Sequence, residues 1–385
     1  MILVTTDYYL PGYKGGGSSR TLINVVDHLG GEFRFKVLTS DRDLGDAGPY
    51  PQVAPGSWQP VGGAEVFYLS PWDLSLRSLR ALIRRTKHEV LYLNSFFSPN
   101  FTIKPLLLRR LGLIPRVPTI LAPRGEFSPD ALMLKGFKKR AYFAFARALG
   151  LYRHVVWQAS SEYEEESIRS WLGDHARVVI ARDLPPPVFG VGEQPSRRRK
   201  TAGRLKIVFL SRVSRMKNLS GALKMLDGLE GEVQFNIYGP LEDRGYWAEC
   251  QRVIDTLPRN VQVKYWGGVR HEQVVGTMAE HDLFFLPTLG ENYGHVVLEA
   301  LIAGCPVLIS DRTPWRNLKE KGIGWDLPLD QPERFRAVLQ SCVEMNSQEH
   351  RSWSQRARAF GLGHARDRTV LDQYRRLFDY ALRQT

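Results

Sequence analysis

Cysteine is scarce in this chain of 385 residues. There are three, Cys250, Cys305 and Cys342, widely spaced and odd in number. That excludes a disulfide framework and a cysteine-rich zinc site. Long apolar runs are missing too, and none approaches the ~18 consecutive residues of a membrane-spanning helix. The opening MILVTTDYYL has neither the charged start nor the small-residue cleavage site of a signal peptide, and reads as a strand. No short internal repeat stands out. No carboxylate-rich cluster suggests a metal, since Asp282 and Asp311 are isolated. What is present is ordinary for a globular protein: 43% apolar and 24% charged residues. The length suits two domains. A soluble, cytoplasmic protein is expected.

Charge is the first positive signal. The formal net charge is +13. Between Arg77 and Arg153 there are 16 basic and 3 acidic residues, and the rest of the chain is balanced. A local basic surface suits nucleic acid, an anionic membrane or a phosphorylated ligand. Nucleic acid is not expected, because no recognised binding motif accompanies the charge. Within the segment, residues 134–154 interleave Lys135, Lys138, Lys139, Arg140 and Arg147 with Phe137, Tyr142, Phe143, Phe145 and Leu149. Such a helix can lie in a membrane interface. Equally, it can be a domain helix with its aromatic face in the core.

Short apolar runs alternate with helix-period segments. Strands are predicted at Ile2–Thr6, Phe33–Thr39, Glu65–Leu69, Val90–Leu93, Thr119–Ala122, Val155–Gln158 and Val178–Ala181. Residues 183–204, rich in proline and glycine and carrying Arg197-Arg198-Arg199-Lys200, interrupt the pattern. It then restarts with Lys206–Leu210, Val233–Tyr238, Val261–Tyr265, Leu283–Pro287 and Val307–Ser310. Helices are expected near 218–229, 243–257, 271–280, 294–304, 314–320, 333–346 and 349–360. This alternation predicts an α/β protein of two parallel-sheet, Rossmann-like domains, 1–190 and 205–364, joined by a linker at 191–204. A final helical run at 365–385 can pack on either. Two such domains would face each other across a cleft, with ligands beyond the carboxyl ends of the strands.

Three loops after strands can carry chemistry. The first, residues 7–19, holds Gly15, Gly16 and Gly17 before a helix, where backbone can approach a ligand and helix N–H groups meet an anion. It is neither the dinucleotide fingerprint nor a P-loop, and a plain turn is the alternative. The second, residues 211–218, carries Arg212 and Lys217. Two fixed cations there suit a diphosphate, although two surface cations explain them equally. The third runs from Gly290 through Glu291, Asn292, Tyr293 and Gly294 into a helix bearing Glu299. Its N–H groups can bind phosphate. A carboxylate beside Val297, Leu298 and Leu301 needs a partner, which ribose hydroxyls would supply. Otherwise Glu299 is a solvated helix residue.

These motifs together resemble the retaining glycosyltransferases of family 4, which have the GT-B fold. The family pattern is two glutamates with seven residues between them, matched by Glu291 and Glu299. The match continues through Ala303-Gly304-Cys305-Pro306-Val307, the pair Arg212 and Lys217, and the glycine-rich first loop, so it covers nearly the whole chain. The resemblance implies a sugar transferred from a nucleotide sugar, with a UDP-sugar or GDP-sugar as donor and no metal or other cofactor. Glu291 would contact the sugar's hydroxyls, Glu299 the ribose, and Arg212 and Lys217 the diphosphate. Asn292, Tyr293 and Gly294 would add donor contacts, and Gly16 and Gly17 would admit diphosphate and sugar. The base would lie near Gly267 to Val269, and the last helix would return to the first domain. Where many relatives carry a histidine, this chain has Arg124 and Glu126 instead. Arg124 would stabilise phosphate and Glu126 bind acceptor, unless the two form an internal salt bridge. A saccharide or a lipid-linked saccharide at the inner membrane face would be the acceptor, with a cell-surface polysaccharide or lipopolysaccharide as product.

Other readings stay open: a glycosidase using the two glutamates, a nucleotide-sugar epimerase or sugar phosphorylase of GT-B architecture, or a basic membrane- or nucleic-acid-binding protein. Tyr246, Trp247 and Trp315 can line a sugar site or the core.

Overall fold

Strands buried on both faces must lie inside a sheet covered by helices, and the N-terminal runs do so. Ile2–Thr5 (β1), Phe35–Ser40 (β2), Trp58–Val61 (β3), Ala64–Leu69 (β4), Val90–Leu93 (β5), Thr119–Leu121 (β6), Val155–Ala159 (β7) and Arg177–Ile180 (β8) form one sheet. Its order is β3-β4-β2-β1-β5-β6-β7-β8. A second sheet, in the order β11-β10-β9-β12-β13-β14, contains Arg204–Leu210 (β9), Glu232–Tyr238 (β10), Val261–Tyr265 (β11), Leu283–Leu286 (β12), Val307–Ser310 (β13) and Gly324–Leu327 (β14). The structure is a computed structural model and describes residues 1–127, 142–144, 146–186 and 199–383. The basic residues Lys135, Lys138, Lys139 and Arg140, and linker residues 191–198, lie outside the described residues. Two units result: Met1–Pro187 with Arg368–Thr385, and Val188–Asp367.

The second sheet is parallel throughout. In the first, β3 runs antiparallel to β4, and the sequence did not announce it. Pro60 removes a ladder donor, which an edge strand tolerates, and Gly62, at φ 58, turns the hairpin. β14 is the other unannounced strand. Its Gly324 lies so close to β13 that a Cβ would stand 2.1 Å from the Val307 carbonyl oxygen. The helix expected at 314–320 does not form. Asn317 has φ 58, and the Asp326 carboxylate accepts from the amides of Asn317 (3.2 Å) and Leu318 (2.9 Å), fixing a turn. β9 starts at Arg204, inside the stretch expected to be linker.

The final helix Thr369–Leu382 belongs to the first unit, following helix Ser347–Ala365 of the second. Tyr374, Leu377, Phe378 and Ala381 are buried against β1, β2 and β5. The Phe378 ring lies 5.2 Å from Phe33 and 6.0 Å from Tyr92. Each large apolar side chain so buried contributes ~1.5–3 kcal/mol. On the opposite face of that sheet, Phe143 packs 5.0 Å from Trp171 and 6.1 Å from Phe127. Thus the described aromatics Tyr142 and Phe143 of the 134–154 stretch serve the core. Among the described residues no helix is long and apolar enough to cross a membrane.

Candidate active site

In an open parallel sheet the ligand crevice lies where strand order reverses. In the second unit that point is between β9 and β12, since β10 and β11 continue to one side and β13 and β14 to the other. The two loops leaving this point are bonded together. The Leu289 amide and Thr288 Oγ1 donate to the Met216 carbonyl, at 2.8 and 3.0 Å. Asn218 Nδ2 donates to the Pro287 carbonyl at 2.9 Å. Asn218 tolerates the left-handed conformation (φ 55) that this turn requires. This scaffold brings Lys217 Nζ within 2.5 Å of Glu291 Oε2, and their side chains are only 11% and 18% exposed.

Gly294 then starts helix His295–Ile302 at φ 79, where a Cβ would stand 3.1 Å from Glu291 Cγ. The positive end of that helix opens beside the pair, a favourable place for phosphate. The helix is apolar nearly all round, with Val297, Leu298, Ala300 and Leu301 fully buried. Glu299 is buried among them, and its Oε1 lies 3.5 Å from His271 Nδ1. Trp315 Nε1 donates to the Tyr293 carbonyl at 2.6 Å, and the Tyr293 hydroxyl lies 3.2 Å from His364 Nε2. Asn292 is half-buried in the same loop. Arg212 points elsewhere: its ion pair is with Glu242, Nη1 to Oε2 3.0 Å, and it is 36% exposed.

The first unit has its own reversal, between β1 and β5. Gly16 caps helix Gly17–Leu29 at φ 77, ψ −158, a conformation essentially restricted to glycine. Asn94, just after β5, donates from Nδ2 to the Ser18 carbonyl at 3.2 Å. Ser98 Oγ donates to Asp7 Oδ1 at 2.8 Å. Thus the glycine loop is tied to the loop after β5.

Arg124 and Glu126 follow β6 but do not pair with each other. Arg124 is buried at φ 55. Its Nη1 reaches Asp183 Oδ1 at 2.7 Å, its Nη2 the Tyr92 hydroxyl at 2.6 Å, and its Nε Asn94 Oδ1 at 2.9 Å. Burial opposes its charge, yet Tyr92, Tyr374 and Asp183 hold its pKa above the usual arginine value. Glu126 accepts from the amides of Phe96 (2.6 Å) and Phe97 (2.9 Å) and from Ser95 Oγ (3.1 Å). Burial raises its pKa against those hydrogen bonds. The salt bridge considered between the two residues is therefore replaced by separate partners, because their side chains leave the turn in different directions.

Residues 192–360 match the family of glycosyl transferases group 1. That match covers most of the second unit. Over the whole chain the fold is similar to HepE of Anabaena, solved with UDP and glucose (16% identity, 98% of each chain, TM-score 0.68). It is also similar to sucrose-phosphate synthase of Thermosynechococcus elongatus (14% identity, 100% and 99% of the chains, TM-score 0.71). A third is WaaG, a glycosyltransferase involved in lipopolysaccharide biosynthesis (14% identity, 94% and 95%, TM-score 0.63). At such identities the likeness is one of fold, and that fold is GT-B. No curated protein sequence matches the chain.

The second unit thus gathers Lys217, Glu291, Asn292, Tyr293, Gly294 and Glu299 around one reversal point, with Arg212 outside that contact set. Two neighbours had no sequence signal, His271 beside Glu299 and His364 beside Tyr293, while Trp315, named as a sugar-site or core residue, also lies beside Tyr293. Trp315 and Tyr246 are buried, and Trp247 packs 4.9 Å from Tyr265. None carried a spacing signal, since their partners lie 22 to 71 residues away in the chain.

Proposed function

We propose that this glycosyltransferase transfers a sugar, with retention of anomeric configuration, from a UDP- or GDP-sugar to a saccharide or lipid-linked saccharide. The observation that carries the reading is the Lys217–Glu291 pair at the β9–β12 reversal, beside a helix N-terminus and the buried Glu299. A nucleoside diphosphate fits this set. The helix end and Lys217 take the negative charge, and Glu299 takes the ribose hydroxyls. Glu291 takes a sugar hydroxyl when the donor enters. Arg212 joins by exchanging Glu242 for phosphate. That exchange costs little, because an exposed ion pair is worth about 0–1 kcal/mol. Asn292, Tyr293 and Gly294 border the sugar, and Gly16 and Gly17 let diphosphate or sugar come close to backbone.

In the reaction, the bond from the anomeric carbon to the diphosphate oxygen breaks and a bond to the acceptor oxygen forms. The acceptor's proton leaves with the diphosphate. Charge develops on the departing oxygen, where fixed cations lower the barrier most. Arg212 and Lys217 are assigned this neutralisation without a metal. HepE, of similar fold, was solved with UDP-glucose, which favours a uridine donor. The role of WaaG in lipopolysaccharide synthesis supports a cell-surface glycan as product and a site of action at the cytoplasmic membrane face. Glu126 is assigned to acceptor binding through its loop. Proton NMR of the first-formed product tests retention. The anomeric coupling should match that of the donor sugar, and an inverted coupling contradicts the proposal.

A further inference from the structure

Helix Leu76–Arg85 buries Leu79 and Ile83 and turns Arg77, Arg80 and Arg84 outward along one stripe. The spacing does this, since steps of three and four residues return to the same face. Arg85, its last residue, and Lys87 beyond it extend the charge past its C-terminus. All five cations are exposed, and none makes a hydrogen bond or ion pair with a described residue. Between residues 71 and 87 the one acidic residue is Asp73, whose carboxylate is occupied by Ser70 Oγ at 2.6 Å. A surface that keeps five like charges unpaired is built for an anionic partner.

Apolar groups that water alone would not favour stand just before this helix and along its flank. Trp72, in the turn Pro71–Leu74 just before the helix, is 90% exposed, and Leu76 is 42% exposed. Along the helix flank runs a groove of about 740 Å3 with Trp58, Phe67 and Leu82 among its lining and Arg85 and Lys87 at its side. A cationic stripe, a projecting indole and an apolar groove together match a lipid surface: headgroup phosphates for the arginines, the interfacial layer for Trp72. A nucleic acid would match the charge but gives Leu76 and the groove no role.

We propose that this face, centred on helix Leu76–Arg85 and Trp72, docks the protein on an anionic phospholipid surface. Such docking needs neither donor nor acceptor, so it stands or falls apart from the transferase reading. The face shares no residue with the 134–154 stretch, whose described aromatics are in the core.

Sedimentation of the full chain with phosphatidylcholine vesicles, with and without phosphatidylglycerol, tests it. Binding should require phosphatidylglycerol and weaken as salt rises. Changing Arg77, Arg80 and Arg84 together to glutamine should weaken partitioning roughly a hundred-fold, since each cation near an anionic surface contributes about five-fold. Trp72→Ala should weaken it further, and both variants should keep wild-type melting behaviour and transfer to a soluble acceptor. Undiminished vesicle binding by the triple variant overturns the proposal. So does binding lost only when Lys138, Lys139 and Arg140 are changed. Binding to oligonucleotides but not to vesicles overturns it too, and makes the partner a nucleic acid.

Discussion

Lys217→Ala lowers kcat for sugar transfer by about 10²–10³-fold while the protein still folds. The magnitude is that of removing one preorganised group from a developing oxyanion. Lys217 ends the turn Arg215–Lys217 in the loop beyond the carboxyl end of the switch-point strand β9, and its ammonium is held by Glu291 at 2.5 Å. The backbone around it is fixed independently of the side chain, through Leu289, Thr288 and Asn218. The loop should therefore survive the truncation, and circular dichroism and melting should stay near wild type. Lys217→Arg should recover only part of the rate, because a planar fork does not replace a compact ammonium. Steady-state kinetics with saturating donor separate the outcomes. A kcat within a few-fold of wild type would remove Lys217 from the chemistry.

Arg124→Leu destabilises the first unit by about 3–5 kcal/mol, as expected when one partner of a buried charged network is removed. The guanidinium is 4% exposed and bonds Asp183, Tyr92 and Asn94. The same network reaches the last helix, because Gln158 Nε2 donates to the Tyr374 hydroxyl at 2.8 Å and accepts at Oε1 from Tyr92 at 2.6 Å. Truncation leaves the Asp183 carboxylate buried without its cation and Tyr92 without its acceptor role. Urea titration followed by far-ultraviolet circular dichroism measures the cost. Arg124→Lys should not restore it, lacking the fork that serves three partners at once. A variant of normal stability but weak donor affinity would instead return Arg124 to phosphate binding, the role its position after β6 first suggested.

The sequence displayed the double α/β plan because strands buried on both faces leave continuous apolar runs, as in Leu283–Leu286 and Val307–Ser310. It concealed β3 and β14, both edge strands. Edge strands need no continuous apolar run, and Pro60 and Gly324 mask their pattern. Glu291 and Glu299 were legible through their spacing on one loop and helix. The Lys217–Glu291 contact was legible only as two loops following two strands. That the strands are neighbours is a fact of sheet order, not of sequence spacing. Arg212 and Arg124 look alike in sequence, as arginines shortly after strands. Their difference is one of burial: one lies on the surface with Glu242, the other inside a polar network. His271 and His364 reach the site from distant elements, and nothing local to them foretold it; Trp315 was legible only as an aromatic that could serve a sugar site or the core.

The most direct test of the donor site is calorimetric titration of the full chain with UDP and with GDP, repeated on Lys217→Ala and Glu299→Ala. One nucleotide should bind the wild type, and each variant should weaken it at least about tenfold, the loss expected from one charged hydrogen bond of ~1.5–3 kcal/mol. Binding of neither nucleotide, or equal affinity in all three proteins, would contradict a diphosphate site built on Lys217, Glu291 and Glu299.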